Sequence, residues 1–105
     1  MDNIIDKLTD ACIVHFNLEQ RDLHSSTRKE NVILAKHILW YVLHSEFGIS
    51  AGDISKEFYR TKRQVFGAIN KVKRGVKKKR YYKELYNSFM ERIREEHLCC
   101  TKGLN

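Results

Sequence analysis

Residues able to grip a polyanion are gathered in one run of this chain: Arg60, Thr61, Lys62, Arg63 and Gln64, then Gly67, Asn70, Lys71 and Arg74, then Lys77 and Lys78. Their chemistry is hydrogen bonding and charge rather than bond making. Arg63 can bond a guanine edge at two points, and Gln64 or Asn70 can do the same with adenine. Gly67 has no side chain, so the backbone there can come close to bases. Lys71, Arg74, Lys77 and Lys78 suit phosphates, which fix register while base contacts fix sequence. A helix beginning at Lys62 adds free N–H groups and the positive end of its dipole. A lysine-rich helix face is ordinarily only a solvated face, but the charge distribution argues for more here. Between Glu57 and Glu84 there is no acidic residue, and eleven of the twenty lysines and arginines crowd that quarter of the chain.

Other reactive side chains form no comparable pattern. His97, Cys99 and Cys100 lie too close together to share one tetrahedral zinc, which takes four ligands in spaced pairs, so no metal site is assigned. Cys12 falls on an apolar helix face and is expected in the core. His15, His24, His37 and His44 are scattered, the last two seven apart and near the surface. No serine or cysteine has a base partner in the pattern. No catalytic residue and no cofactor is assigned, and the chain does not read as an enzyme. Tyr81, Tyr82 and Tyr86 alternate with lysines and can stack single-stranded bases, but core plus rim is the preferred reading. Trp40 is expected to be buried.

The elements that must position the basic run are helical. Apolar residues at 4, 5, 8, 11, 12 and 16 recur with helical spacing over residues 3–16. A polar stretch over 17–26 follows, with Leu18 and Leu23 as anchors. Thr27 and Glu30 have capping-box spacing and open a helix running to about Ser45. That helix is apolar over much of its girth and should be the central one; Phe47-Gly48 ends it. Ser50 begins a short helix that turns Ile54 and Phe58 inward, and a tight turn falls near Tyr59-Arg60. Thr61 and Gln64 give a third box for a helix to about Arg74, with Val65, Ala68, Ile69 and Val72 facing the core. Gly75 marks a break or bend and 75–80 a basic connection. A last helix covers about 79–97, on a stripe of Tyr82, Leu85, Tyr86, Phe89, Met90 and Ile93.

The 105 residues fit one domain. Proline is absent and there are five glycines, which disfavours strand-and-turn architectures. The net charge of +7 favours polyanionic partners. Three cysteines make no disulfide framework and point to a reducing compartment. Acids at the start and no apolar run near 18 residues argue against a signal peptide or a membrane span, so a cytoplasmic location is expected. The fold class expected is all-α: a bundle of about five helices in a single domain over 1–105, with a helix-turn-helix at about 50–74.

Three segments carry a resemblance. Ala35-Lys36-His37-Ile38-Leu39-Trp40-Tyr41-Val42 resembles A-R-Q-I-A-M-Y-L; Ile54-Ser55-Lys56-Glu57-Phe58 resembles I-G-x-x-F; and Val65-Phe66-Gly67-Ala68-Ile69-Asn70-Lys71-Val72 resembles V-L-H-A-x-x-K-I. All belong to the DNA-binding C-terminal domain of the bacterial replication initiator DnaA, and the likeness covers about residues 3–94. The resemblance implies a Trp-repressor-like bundle with a helix-turn-helix. It implies an arginine that reaches the minor groove before the central helix, a place held here by Arg28 or Lys29. It also implies a major-groove run, G-R-D-H-T-T, matched by Tyr59-Arg60-Thr61-Lys62-Arg63-Gln64 and shorter by one preceding glycine. Only Arg60 agrees, so the side chains that read the initiator's own box are replaced while positive charge and capping are kept. No G-x-x-x-x-G-K-[ST] occurs, so a stand-alone relative that takes no nucleotide is expected.

The expected partner is double-stranded DNA, read in the major groove by the helix from Lys62 and held by the basic residues of 71–80. The alternatives are a non-catalytic protein-interaction module and a binder of RNA or single strands. A protein partner or a homodimer is left open.

Overall fold

The computed structural model describes residues 4–24 and 29–96. Among these the chain is all-helical, with six helices: α1 (Ile4–Phe16), α2 (Gln20–His24), α3 (Glu30–Ser45), α4 (Ala51–Glu57), α5 (Lys62–Lys78) and α6 (Arg80–Glu95). The sixth helix beyond the expected five is α2. It is a single turn fixed locally, with Asp22 Oδ2 accepting from the Glu19 N–H at 3.0 Å, and five residues are too few for periodicity to register. Leu23 pins it to the core with no exposed surface.

The central helix is α3, as its apolar girth predicts. Val32, Ala35, Ile38, Leu39, Trp40, Val42 and Leu43 are all buried. It packs against α1, α2, α4 and α5, while α6 closes the bundle across α5 and α1. Complete burial of a side chain such as Leu39 or Val42 contributes about 1.5–3 kcal/mol, so α3 is the element the others are assembled on. Its start differs from expectation. Lys29 is the N-cap, with no side-chain cap bond; Glu30 is therefore the first helical residue rather than the third, and Thr27 lies outside the described residues.

The expected caps are present at α4 and α5. Ser50 Oγ accepts from the Asp53 N–H at 3.1 Å. Thr61 Oγ1 accepts from the Gln64 N–H at 3.1 Å, and Gln64 Oε1 accepts from the Thr61 N–H at 3.0 Å, completing a capping box.

Gly75 does not break the helix, and the expected connection over 75–80 is helical except at Lys79. The helix α5 runs through Gly75 to Lys78, only Lys79 stands between the two last helices, and α6 begins at Arg80. The reason is packing. A Cβ on Gly75 would stand 2.6 Å from Cγ and Cδ2 of the buried Tyr82 ring, so glycine here admits the close approach of α6. Cys12 is buried as expected; its Sγ donates to the Ala35 carbonyl at 3.7 Å, and burial pushes the thiol up to about 12. His97, Cys99 and Cys100 lie outside the described residues.

Candidate nucleic-acid interface

The helix α5 has two unlike sides. Val65, Ala68, Ile69 and Val72 are buried, and Lys62, Arg63, Gln64, Gly67, Asn70, Lys71, Arg74, Lys77 and Lys78 are exposed. Arg63, Gly67, Asn70 and Arg74 follow one another at helical spacing and form one outward stripe. Gly67 opens this stripe, since a Cβ there would meet nothing within 4 Å. Among the described residues no carboxylate is paired with a cation of this stripe. Ion pairs seen among the described residues join Arg21 to Glu19, Arg80 to Glu84 and Arg92 to Glu96, and none of these lies on α5.

The capping box changes what Gln64 offers. Its side-chain oxygen already accepts from Thr61 N–H and Thr61 Oγ1, at 3.0 and 3.3 Å. A two-point grip on adenine uses both ends of an amide, so Gln64 would have to open the cap to make one. Asn70, exposed in mid-helix, has no side-chain hydrogen bond among the described residues.

The structure joins the front of α5 to a part of α3 that sequence reasoning did not select. A cleft of about 400 Å3 lies between them, with Lys36, His37 and Trp40 on one wall and Arg60, Gln64, Gly67 and Lys71 on the other. Lys36 is only 5% exposed, with Nζ 5.9 Å from the centre of the Trp40 ring. Burial first, and Arg60 second, press its ammonium below the ordinary lysine range. His37 is lowered to about 4 by burial, then by Lys71 and Lys36. Four cationic or protonatable groups with no carboxylate in the lining make a cleft that favours an anion. A lysine inside an otherwise apolar helix was the available signal, because lysine is almost never fully buried without a reason.

A second, smaller depression of about 220 Å3 follows along α5, between Lys71, Arg74 and Lys78 and the Lys79–Tyr82 corner. Cations thus continue from the cleft to the end of the helix. Lys29 is exposed at the head of α3, on the stripe that continues through Ile33 and Lys36. Arg28 lies outside the described residues. Arg60 is half-buried and Thr61 exposed at the α5 cap. Of the tyrosines, Tyr82 is core, Tyr86 half-buried and Tyr81 exposed. Trp40 is buried, and its Nε1–H has no partner among the described residues.

Among the described residues no cluster of histidine, cysteine, aspartate or glutamate could hold a metal ion, and no helix is long and apolar enough to cross a membrane. Residues 5–72, from α1 through most of α5, match the family model described as the bacterial dnaA protein helix-turn-helix.

Proposed function

The chain belongs to the bacterial DnaA helix-turn-helix family, a family of DNA-binding domains, and on that premise we propose that it binds duplex DNA by setting α5 into the major groove. Arg63 and Asn70 read base edges in this reading, and Gly67 lets the helix backbone lie close to them. Lys62 and Thr61 stand at the groove's lip. Lys71, Arg74, Lys77 and Lys78 hold phosphates along the groove wall. The α3–α5 cleft takes a further phosphate, with Lys36, His37 and Arg60 around it, and Lys29 or Arg28 reaches the neighbouring minor groove. This is a binding role with no reaction assigned.

The observation that carries the reading is the exposed side of α5. It is cationic, free of ion pairs among the described residues, and backed by a buried aliphatic ridge that seats the helix on the core. Phosphate contacts would make affinity fall with salt, with a slope of about −0.9 per phosphate neutralised.

Anisotropy titration with mixed duplexes at low salt is the direct test, followed by selection of preferred duplexes from a random pool. Binding that weakens along a steep salt slope, together with an enriched sequence, is the expected result. No duplex binding at low salt would overturn the reading, and single strands outcompeting duplex would replace it with a single-strand binder.

A further inference from the structure

Among the described residues three helix ends place a residue in the left-handed region: Asn17 (φ 56°) after α1, Gly48 (φ 70°) after α3 and Tyr59 (φ 55°) after α4. Glycine and asparagine accept that conformation readily, whereas for a bulky aromatic it is an outlier. Hydrogen bonding imposes it at Tyr59. The Arg60 N–H reaches back to the Ser55 carbonyl at 2.9 Å and the Phe58 N–H to the Ile54 carbonyl at 3.1 Å. This is a Schellman-type helix end, whose turning residue must be left-handed and is usually glycine. The end of α1 makes the same reach, Leu18 N–H to the Ile13 carbonyl at 2.8 Å, and there the turning residue is asparagine.

Packing does not explain the tyrosine. It is 79% exposed. Among the described residues its ring lies near that of His24, with centroids 6.1 Å apart and planes tilted by 54°. The neighbouring Phe58 anchors this turn instead, fully buried, stacked on His24 and against Trp40. The fold thus carries a strained backbone at a residue whose side chain it leaves in solvent. Residues kept in such conformations cluster at functional sites. The position is telling as well. Tyr59 immediately precedes Arg60 and the Thr61 cap of α5, where the family run has a glycine.

We propose that Tyr59 is a DNA-contacting residue whose phenol hydroxyl donates a hydrogen bond to a phosphate oxygen at the edge of the groove that α5 enters. The proposal rests on the duplex-binding reading above. Tyrosine is among the side chains that bond phosphate oxygens. Here the helix-end bond on one side and the capping box on the other fix the backbone, so little freedom is lost on contact.

The test compares wild type, Tyr59→Gly, Tyr59→Phe and Arg60→Ala by thermal melting and by anisotropy with a pool-selected duplex at several salt concentrations. Tyr59→Gly is expected to melt no lower than wild type, because relief of strain offsets the added chain freedom. It is also expected to bind about tenfold more weakly, with an unchanged salt slope, because a neutral donor releases no counterion. Arg60→Ala should instead reduce the slope by about 0.9. Tyr59→Phe should bind as weakly as Tyr59→Gly. Should glycine destabilise the fold, Tyr59→Phe, which keeps the ring, decides alone. Tyr59→Phe binding within twofold of wild type overturns the proposal. So does Tyr59→Gly, if folded, binding within twofold. A wild-type protein that binds no duplex at low salt would sink the parent reading instead.

Discussion

Replacing Gly75 with alanine sets two physical terms against each other within one helix. Intrinsic propensity favours the change, since alanine in a helix interior is better than glycine by about 0.8–1 kcal/mol. The structure opposes it. The new Cβ would lie 2.6 Å from Cγ and Cδ2 and 3.0 Å from Cδ1 of Tyr82. Carbon contacts are comfortable near 3.5–4.0 Å, so the ring or all of α6 must retreat by about 1 Å. Tyr82 is 4% exposed and part of the core, and its ring cannot swing aside as a flexible side-chain tip would. Overpacking of this kind costs about 1–3 kcal/mol. The clash therefore exceeds the propensity gain, and Gly75→Ala should be destabilised by about 1 kcal/mol, lowering the melting temperature by roughly 4–8 °C. Gly67→Ala is the internal control. It lies in the same helix with nothing within 4 Å of the added atom, so propensity alone acts and stability should rise by about 0.8–1 kcal/mol. Far-ultraviolet circular dichroism and Trp40 fluorescence during thermal and urea unfolding measure both variants. If Gly75→Ala melts at or above wild type, the claim that this glycine exists to seat Tyr82 is wrong.

Four further outcomes follow from the described geometry. His37 is held down to about 4, so the unfolded chain takes up a proton first. The stability tied to its neutral form is whole above about 6.5 and is lost as pH falls toward 4. His15, whose Nδ1 accepts from Arg92 Nε at 2.9 Å, is shifted in the same direction by burial and then by Arg92. Urea midpoints across this range should therefore fall less steeply in His37→Gln than in wild type without becoming flat, and parallel curves would refute the assignment to His37. Thr61→Ala removes the acceptor for the Gln64 N–H and should lower stability by about 1 kcal/mol; an unchanged urea midpoint would mean the box contributes nothing. Arg63→Ala should relax sequence preference at one base pair by about 1–3 kcal/mol, whereas Lys78→Ala should weaken all duplexes alike and reduce the salt slope by about 0.9. Identical selected-sequence profiles for wild type and Arg63→Ala would remove that residue from base reading.

Much of the interface was legible because it lies within one helix. The spacing of Val65, Ala68, Ile69 and Val72 assigns α5 its buried side, and the exposure of Arg63, Gly67, Asn70 and Arg74 then follows from 3.6-residue geometry. Thr61 and Gln64 announce their own capping box, as Ser50 announces the start of α4. Gln64 shows the limit. The same residue types that can read adenine also cap helices, and only coordinates show that its side-chain oxygen is engaged by Thr61. Gly75 misled for a related reason. Glycine in a helical pattern marks either a break or a close approach, and the choice depends on a ring seven residues away.

The amino-acid sequence alone determined the helical class, the apolar stripe that each long helix turns inward, the caps at Ser50 and Thr61, and the acid-free basic zone from 58 to 83. These are properties of neighbours along the chain, and short-range sterics, hydrogen bonding and periodicity are enough to set them. The tertiary structure alone decided that Lys36 and His37 of α3 face Arg60 and Lys71 across one cleft, that Tyr82 sits on Gly75, and that Tyr59 stands in solvent on a left-handed backbone. Such pairings depend on how whole helices cross when their apolar faces are buried together, and no local rule along the chain encodes a crossing.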